Sequence, residues 1–192
     1  MSDILEKLMG GNSRIKLMRL FLFNPQTSFL HQEIAERAKI TSEKLKKELS
    51  FLHGARMIKK AKKGSGKNAW SLNEKFPFLV EFQRLLLETS LLNRTELVKK
   101  ISKAGRIKTL ILTGLFTEIW EAQIDMLIIA DGVKAGALDS AVKAIEAEVG
   151  REIRYCALDT ADFKYRLGVG DRLIRDVLDY PHEVVLDRIG AF

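Results

Sequence analysis

Apolar positions spaced three and four apart open the chain. Ile15, Met18 and Leu22 make an i, i+3, i+7 stripe behind Ser13, a residue type that caps helix starts, and Asn24-Pro25 ends the run. The spacing predicts a second helix over His31–Ala38, burying Ile34, Ala35 and Ala38. A third begins behind Thr41 or Ser42, with Leu45, Leu49 and Leu52 as its inner stripe and Gly54 placed to end it. The pattern then shifts towards two-residue periodicity over Arg56–Ala61 and Asn68–Leu72. Lys62-Lys63-Gly64-Ser65-Gly66-Lys67 lies between those runs as a basic, glycine-containing hairpin tip.

Helical periodicity returns over Phe76–Leu92, with Phe78, Leu79, Phe82, Leu85 and Leu86 along one side, and again over Arg94–Ala104. Beyond Gly105 the character changes. Ile107–Thr113, Ile124–Ala130 and Ile153–Leu158 read as strands, Ala137–Val149 as a helix, and Asp171 as the cap of a last helix to Leu178. Val184–Leu186 adds a short final strand. Strands alternating with helices make this half α/β. The chain shows no internal repeat and no low-complexity segment.

Three short helices with a tight break between the second and third, followed by a β-hairpin, resemble the winged helix-turn-helix superfamily over residues 13–73, especially its small ArsR- and MarR-type regulators. The resemblance implies that the third helix enters the major groove of duplex DNA while the hairpin lies along the backbone or minor groove. It divides the chain into an α+β winged-helix domain at 1–75, a helical linker or dimerisation segment at 76–104, and a small α/β domain with a mixed sheet at 105–192. A winged helix reaching two half-sites implies a homodimer.

Charge sharpens this division. Residues 1–75 hold 16 Lys and Arg against 7 Asp and Glu, a net of +9, whereas 76–192 hold 16 against 18, a net of −2. A basic first half points to a polyanion partner, double-stranded DNA under the winged-helix reading. With the leucine stripe inward, Ser42, Glu43, Lys44, Lys46, Lys47 and Ser50 form the outer and flanking face of the third helix. Lysine and serine suit phosphate and base-edge hydrogen bonds. Lys59, Lys60, Lys62, Lys63 and Lys67 make the hairpin an electrostatic clamp. Gly64-Ser65-Gly66-Lys67 is not a phosphate-binding P-loop, because Ala61 and Asn68 stand where that motif needs glycine and Ser/Thr.

In the second half, Leu110-Ile111-Leu112-Thr113-Gly114-Leu115-Phe116-Thr117 followed by Gln123-Ile124-Asp125-Met126-Leu127-Ile128-Ile129 resembles the polymerase-β type of nucleotidyltransferase over about residues 105–190. That resemblance implies a Gly-Ser contact to phosphate and an Asp-x-Asp pair holding two divalent metals. Here Leu115 replaces the serine, Gln123 replaces the first aspartate, and only Asp125 remains. The gap between Gly114 and Gln123 is shorter than the family's, and Arg154 on the third strand would oppose a cation. The expectation is a catalytically degenerate domain without a metal or cofactor, Gly114, Leu115, Gln123 and Asp125 marking a vestigial cleft. It would serve sensing of a small molecule or nucleotide, or assembly. An active nucleotidyltransferase targeted by its winged helix is the alternative, and a structural nucleic-acid-binding module is a third reading.

Other residues read more simply. The lone Cys156 excludes an intramolecular disulfide and is expected to be a core thiol; His31, His53 and His182, far apart in sequence, are expected to be surface or cap residues. Trp70 should pack the hairpin onto the core, and Trp120 should line what survives of the cleft. Nothing approaches the ~20 unbroken apolar residues of a membrane helix, and the N-terminus carries no basic-then-apolar leader, so a reducing cytoplasm is the expected setting.

Overall fold

Ile15, Met18 and Leu22 fall on one side of a helix at 3.6 residues per turn, and in the computed structural model they enter a core shared by five helices and a small sheet. The structure describes residues 2–89, 94–117, 119 and 121–191. They divide into two compact units, Met1–Leu91 with Lys143–Arg151 and Leu92–Val142 with Glu152–Phe192. Trp120, expected to line the cleft, the end of the first expected helix (Ser90, Leu91 and Leu92) and Asn93 after it lie outside the described residues.

The first unit runs α1 (Ser2–Met9), α2 (Asn12–Leu22), β1 (Phe29–Leu30), α3 (His31–Ala38), α4 (Ser42–Gly54), β2 (Ile58–Lys63), β3 (Lys67–Leu72) and α5 (Leu79–Glu88). The strands form an antiparallel sheet in the order β1-β3-β2. Helix α3 meets α4 through Lys39, whose left-handed φ of 52° lets the Ile40 amide bond back to the Ala35 carbonyl. This is the element order expected of a winged helix. Leu45, Leu49 and Leu52 are buried as expected, together with Phe21, Phe29, Ile34 and Ile58.

Several local expectations are corrected. Helix α2 starts at Asn12, one residue before Ser13, with Gly11 at the cap position and no side-chain cap bond. Helix α1 and β1 add to the expected elements; β1 is only two residues long and pairs Phe29 with Trp70 and Leu30 with Ala69. Gly54 stays inside α4, and the chain turns at Arg56, whose φ is 61°. The hairpin ladder extends to the pair Lys63–Lys67, so the tip is only Gly64-Ser65-Gly66, both glycines left-handed at φ 56° and 85°. Helix α5 begins only at Leu79, after a turn in which the Leu79 amide donates to the Phe76 carbonyl at 3.2 Å. Phe76, Leu79, Phe82 and Leu86 pack on the core, while Phe78 and Leu85 are 58% and 38% exposed, so the inward stripe is rotated from the one predicted.

The second unit holds α6 (Arg94–Ile101), β4 (Arg106–Leu112), a short 3-10 turn (Gly114–Thr117), β5 (Met126–Asp131), β6 (Tyr155–Leu158), α8 (Thr160–Gly168), α9 (Arg172–Asp179) and β7 (Glu183–Asp187). Helix α7 (Ala135–Val149) begins in this unit, and its residues from Lys143 group with the first. The sheet order is β6-β5-β4-β7, with β5 and β6 parallel and the other pairs antiparallel, a mixed sheet as expected. Asp171 caps α9 by accepting from the amides of Leu173 and Ile174. Helix α8 is a further addition to the expected order; Asp159 caps it, accepting from the Asp162 amide at 2.7 Å. The expected segment 76–104 contributes α5 to one unit and α6 to the other. Among the described residues no helix is long and apolar enough to cross a membrane.

Candidate nucleic-acid interface

At 100° per residue, the buried arc of α4 runs through Glu48, Leu52, Leu45 and Leu49, which turns Glu43, Lys47 and Ser50 directly outward. Lys46 and Ser42 flank them on one side and Lys44 and Phe51 on the other. All six predicted polar residues of this helix are exposed. Glu48 is the exception to the helix's polar-out pattern. It is buried, and it accepts from Arg14 Nε at 2.8 Å, while the Arg14 guanidinium lies 3.6 Å from the centre of the Phe51 ring. Sequence reasoning missed this clamp of α2 on α4; a glutamate on the leucine arc was its signal.

The β2–β3 hairpin, the wing of the expected winged helix, presents its lysines unequally. Lys59, Lys60, Lys62 and Lys67 are exposed, and Lys62 donates to Asn68 Oδ1 across the hairpin at 2.7 Å. Lys63 faces α3, where its ammonium meets both carboxylate oxygens of Glu33 at 2.8 Å. The Lys63 bond, followed by the Leu30 amide, holds the Glu33 carboxyl below its ordinary 4.5. Lys63 therefore already has an acid as its partner.

Between α4 and the wing runs a groove lined by His31, Lys46, Leu49, Ser50, His53, Lys60 and Trp70. Lys46, Leu49, Ser50 and His53 are the i, i+3, i+4, i+7 positions of α4, and Lys60 lies directly across the sheet from Trp70. His31 and His53, remote in sequence, thus come to one place. His31 Nε2 is 3.1 Å from Ser42 Oγ, His53 Nδ1 is 3.1 Å from the Ile58 carbonyl oxygen, and the His53 and Trp70 rings meet edge-on at 5.4 Å. The helical spacing was visible in the sequence, but the register that aligns Lys60 with Trp70 was not.

In the second unit the four residues of the expected cleft have separate fates. Asp125 is 2% exposed and accepts from the Leu115 amide and from the amide and guanidinium of Arg154. That bond keeps the Arg154 guanidinium more firmly protonated than usual. Gly114, with φ 54°, passes so close that a Cβ there would lie 2.4 Å from Asp125 Oδ1. Leu115 is buried, and Gln123 is exposed and donates to Asp176. Cys156 is half-buried, and burial pushes its thiol pKa up, which keeps it protonated and unreactive. Among the described residues no group of three His, Cys, Asp or Glu could hold a metal ion.

No protein-family model matches this chain, and no curated protein matches it. Among solved structures, two variants of Lactococcus lactis ZitR are similar, at 23% and 22% identity and TM-scores of 0.36 and 0.35. Each match covers 47% of this chain and 61% of the ZitR chain.

Proposed function

We propose that this protein is a DNA-binding transcriptional regulator whose first unit grips duplex DNA with α4 and the wing. One observation carries the reading: the exposed lysines of α4 and those of the wing stand on the two elements that a winged helix offers to DNA. Lys46 and Lys60 even border the same groove. Outward Lys44, Lys46, Lys47 and Ser50 supply contacts in the major groove, and Lys59, Lys60, Lys62 and Lys67 neutralise phosphates alongside it. Two copies of the chain would place two such modules on paired half-sites.

The second unit, in this reading, is a nucleotidyltransferase-like scaffold that no longer catalyses and instead serves sensing of a nucleotide or small molecule, or assembly. Its support is the engagement of Asp125 by Arg154, which removes the last carboxylate of the metal-binding pattern. Incubating the full chain with a random pool of genomic fragments, then sequencing what it retains, tests the regulator reading. Recovery of a defined motif supports it. Uniform retention of all fragments at moderate salt contradicts it and leaves a structural nucleic-acid binder.

A further inference from the structure

The groove between α4 and the wing has a composition that general attraction to a polyanion does not require. Two ammonium groups (Lys46, Lys60), two imidazoles (His31, His53) and the Ser50 hydroxyl surround Leu49 and the indole of Trp70. Among the described residues no carboxylate lines it. Glu33, the acid of α3 that meets the wing, is engaged with Lys63 and the Leu30 amide. Every polar group of the lining can donate a hydrogen bond, which is the donor set of an oxyanion seat.

The imidazoles add a condition. A carbonyl only accepts, so His53 Nδ1, 3.1 Å from the Ile58 oxygen, carries the hydrogen. The neutral ring then offers a lone pair at Nε2, which repels an anion, and only the imidazolium offers a donor there. The charged groups lining the groove beside both rings are Lys46 from α4 and Lys60 from β2; Ser42 of α4 and Trp70 of β3 complete the polar surroundings.

Resting on the duplex-DNA reading above, we propose that this groove seats one backbone phosphate of bound DNA, with His53 and His31 protonated as the phosphate arrives. DNA affinity is then linked to histidine titration: binding is tighter below the histidine range and weaker above it.

The experiment is anisotropy of a labelled duplex with the full chain at constant salt, from about pH 6 to about pH 8. The parent loses at most about tenfold in affinity per pH unit for each linked proton, so at most about a hundredfold with both imidazoles linked. His53→Gln and His31→Gln each lose a group that can charge, so each profile becomes shallower by one proton's share; His182→Gln, in the second unit, keeps the parent profile. In the parent, the ring resonances of His31 and His53 followed by NMR titrate at higher pH with duplex than without, a readout independent of any substitution. A flat parent profile, or duplex binding whose pH dependence survives both His53→Gln and His31→Gln, overturns the phosphate seat and leaves DNA binding standing. Absence of duplex binding at low salt at every pH removes both.

Discussion

Arg154 lays its guanidinium fork across both oxygens of Asp125, with Nε 3.0 Å from Oδ2 and Nη2 2.8 Å from Oδ1. The amides of Leu115 and Arg154 take the same two oxygens at 2.8 and 2.9 Å. A carboxylate has about four lone-pair sites, and four donors fill them. A magnesium ion would have to displace a bidentate arginine from a buried acid. Calorimetry of the full chain with ATP, CTP, GTP or UTP should therefore show no Mg²⁺-dependent binding, and labelled triphosphates should not be transferred. Turnover that disappears in Asp125→Ala would make the active nucleotidyltransferase the leading reading.

The same pair has a stability consequence. Arg154→Met leaves a buried carboxylate with only its two amide donors. Because the Arg154 side chain is 48% exposed, water can replace part of the missing hydrogen bonding. The expected cost is about 1–3 kcal/mol in urea denaturation, below that of a fully buried pair. Gly114→Ala should cost more than an ordinary glycine replacement, since its Cβ would collide with Asp125 Oδ1 in a left-handed backbone.

On α4, stability and recognition separate by helical phase. Lys44→Ala, Lys46→Ala and Lys47→Ala change exposed side chains and should leave unfolding within about 0.5 kcal/mol of the parent while weakening specific DNA binding. Leu49→Ala, at 2% exposure, should cost about 2–5 kcal/mol. Parent-like DNA binding by all three lysine variants would show that this face meets something else.

Glu33 links the wing to α3 and carries a sign with pH. Its carboxyl pKa is lowered in the fold, so the stabilisation is present above its ordinary 4.5 and is lost as pH falls through the lower folded value. Both side chains of the Glu33–Lys63 pair are more than a third exposed, so the effect is modest. Glu33→Gln should shallow the acid limb of a stability-against-pH curve below about pH 4.5, measured by thermal melting. An acid limb identical to the parent's would contradict that role.

Much of this architecture was legible because it follows from period alone. Leu45, Leu49 and Leu52 placed α4 and its outer lysines, and Asp171 placed the start of α9. What the sequence hid depends on pairing between distant segments. Phe29–Leu30 is too short to show alternation and becomes a strand only against Trp70 and Ala69. Lys63 looked equivalent to Lys62 until strand alternation turned it to Glu33. His31 and His53 share a groove only because α3 and α4 are brought together by the turn at Lys39. Arg154 could be read as unfavourable to a metal, but its grip on Asp125 requires the parallel register of β5 and β6.

The central claim is that α4 and the wing bind duplex DNA through phosphate neutralisation, and the salt dependence of that binding tests it most directly. Anisotropy with a labelled duplex over a range of salt concentrations should give log affinity falling linearly with log salt, at a slope of about −0.9 per phosphate neutralised. Replacing Lys62, Lys63 and Lys67 by alanine should lower the magnitude of that slope by roughly one for each phosphate no longer neutralised, and by less at Lys63 because Glu33 already holds it. The weakening should be alike for all duplex sequences. A parent slope near zero, or one unchanged in the triple variant, would contradict the account.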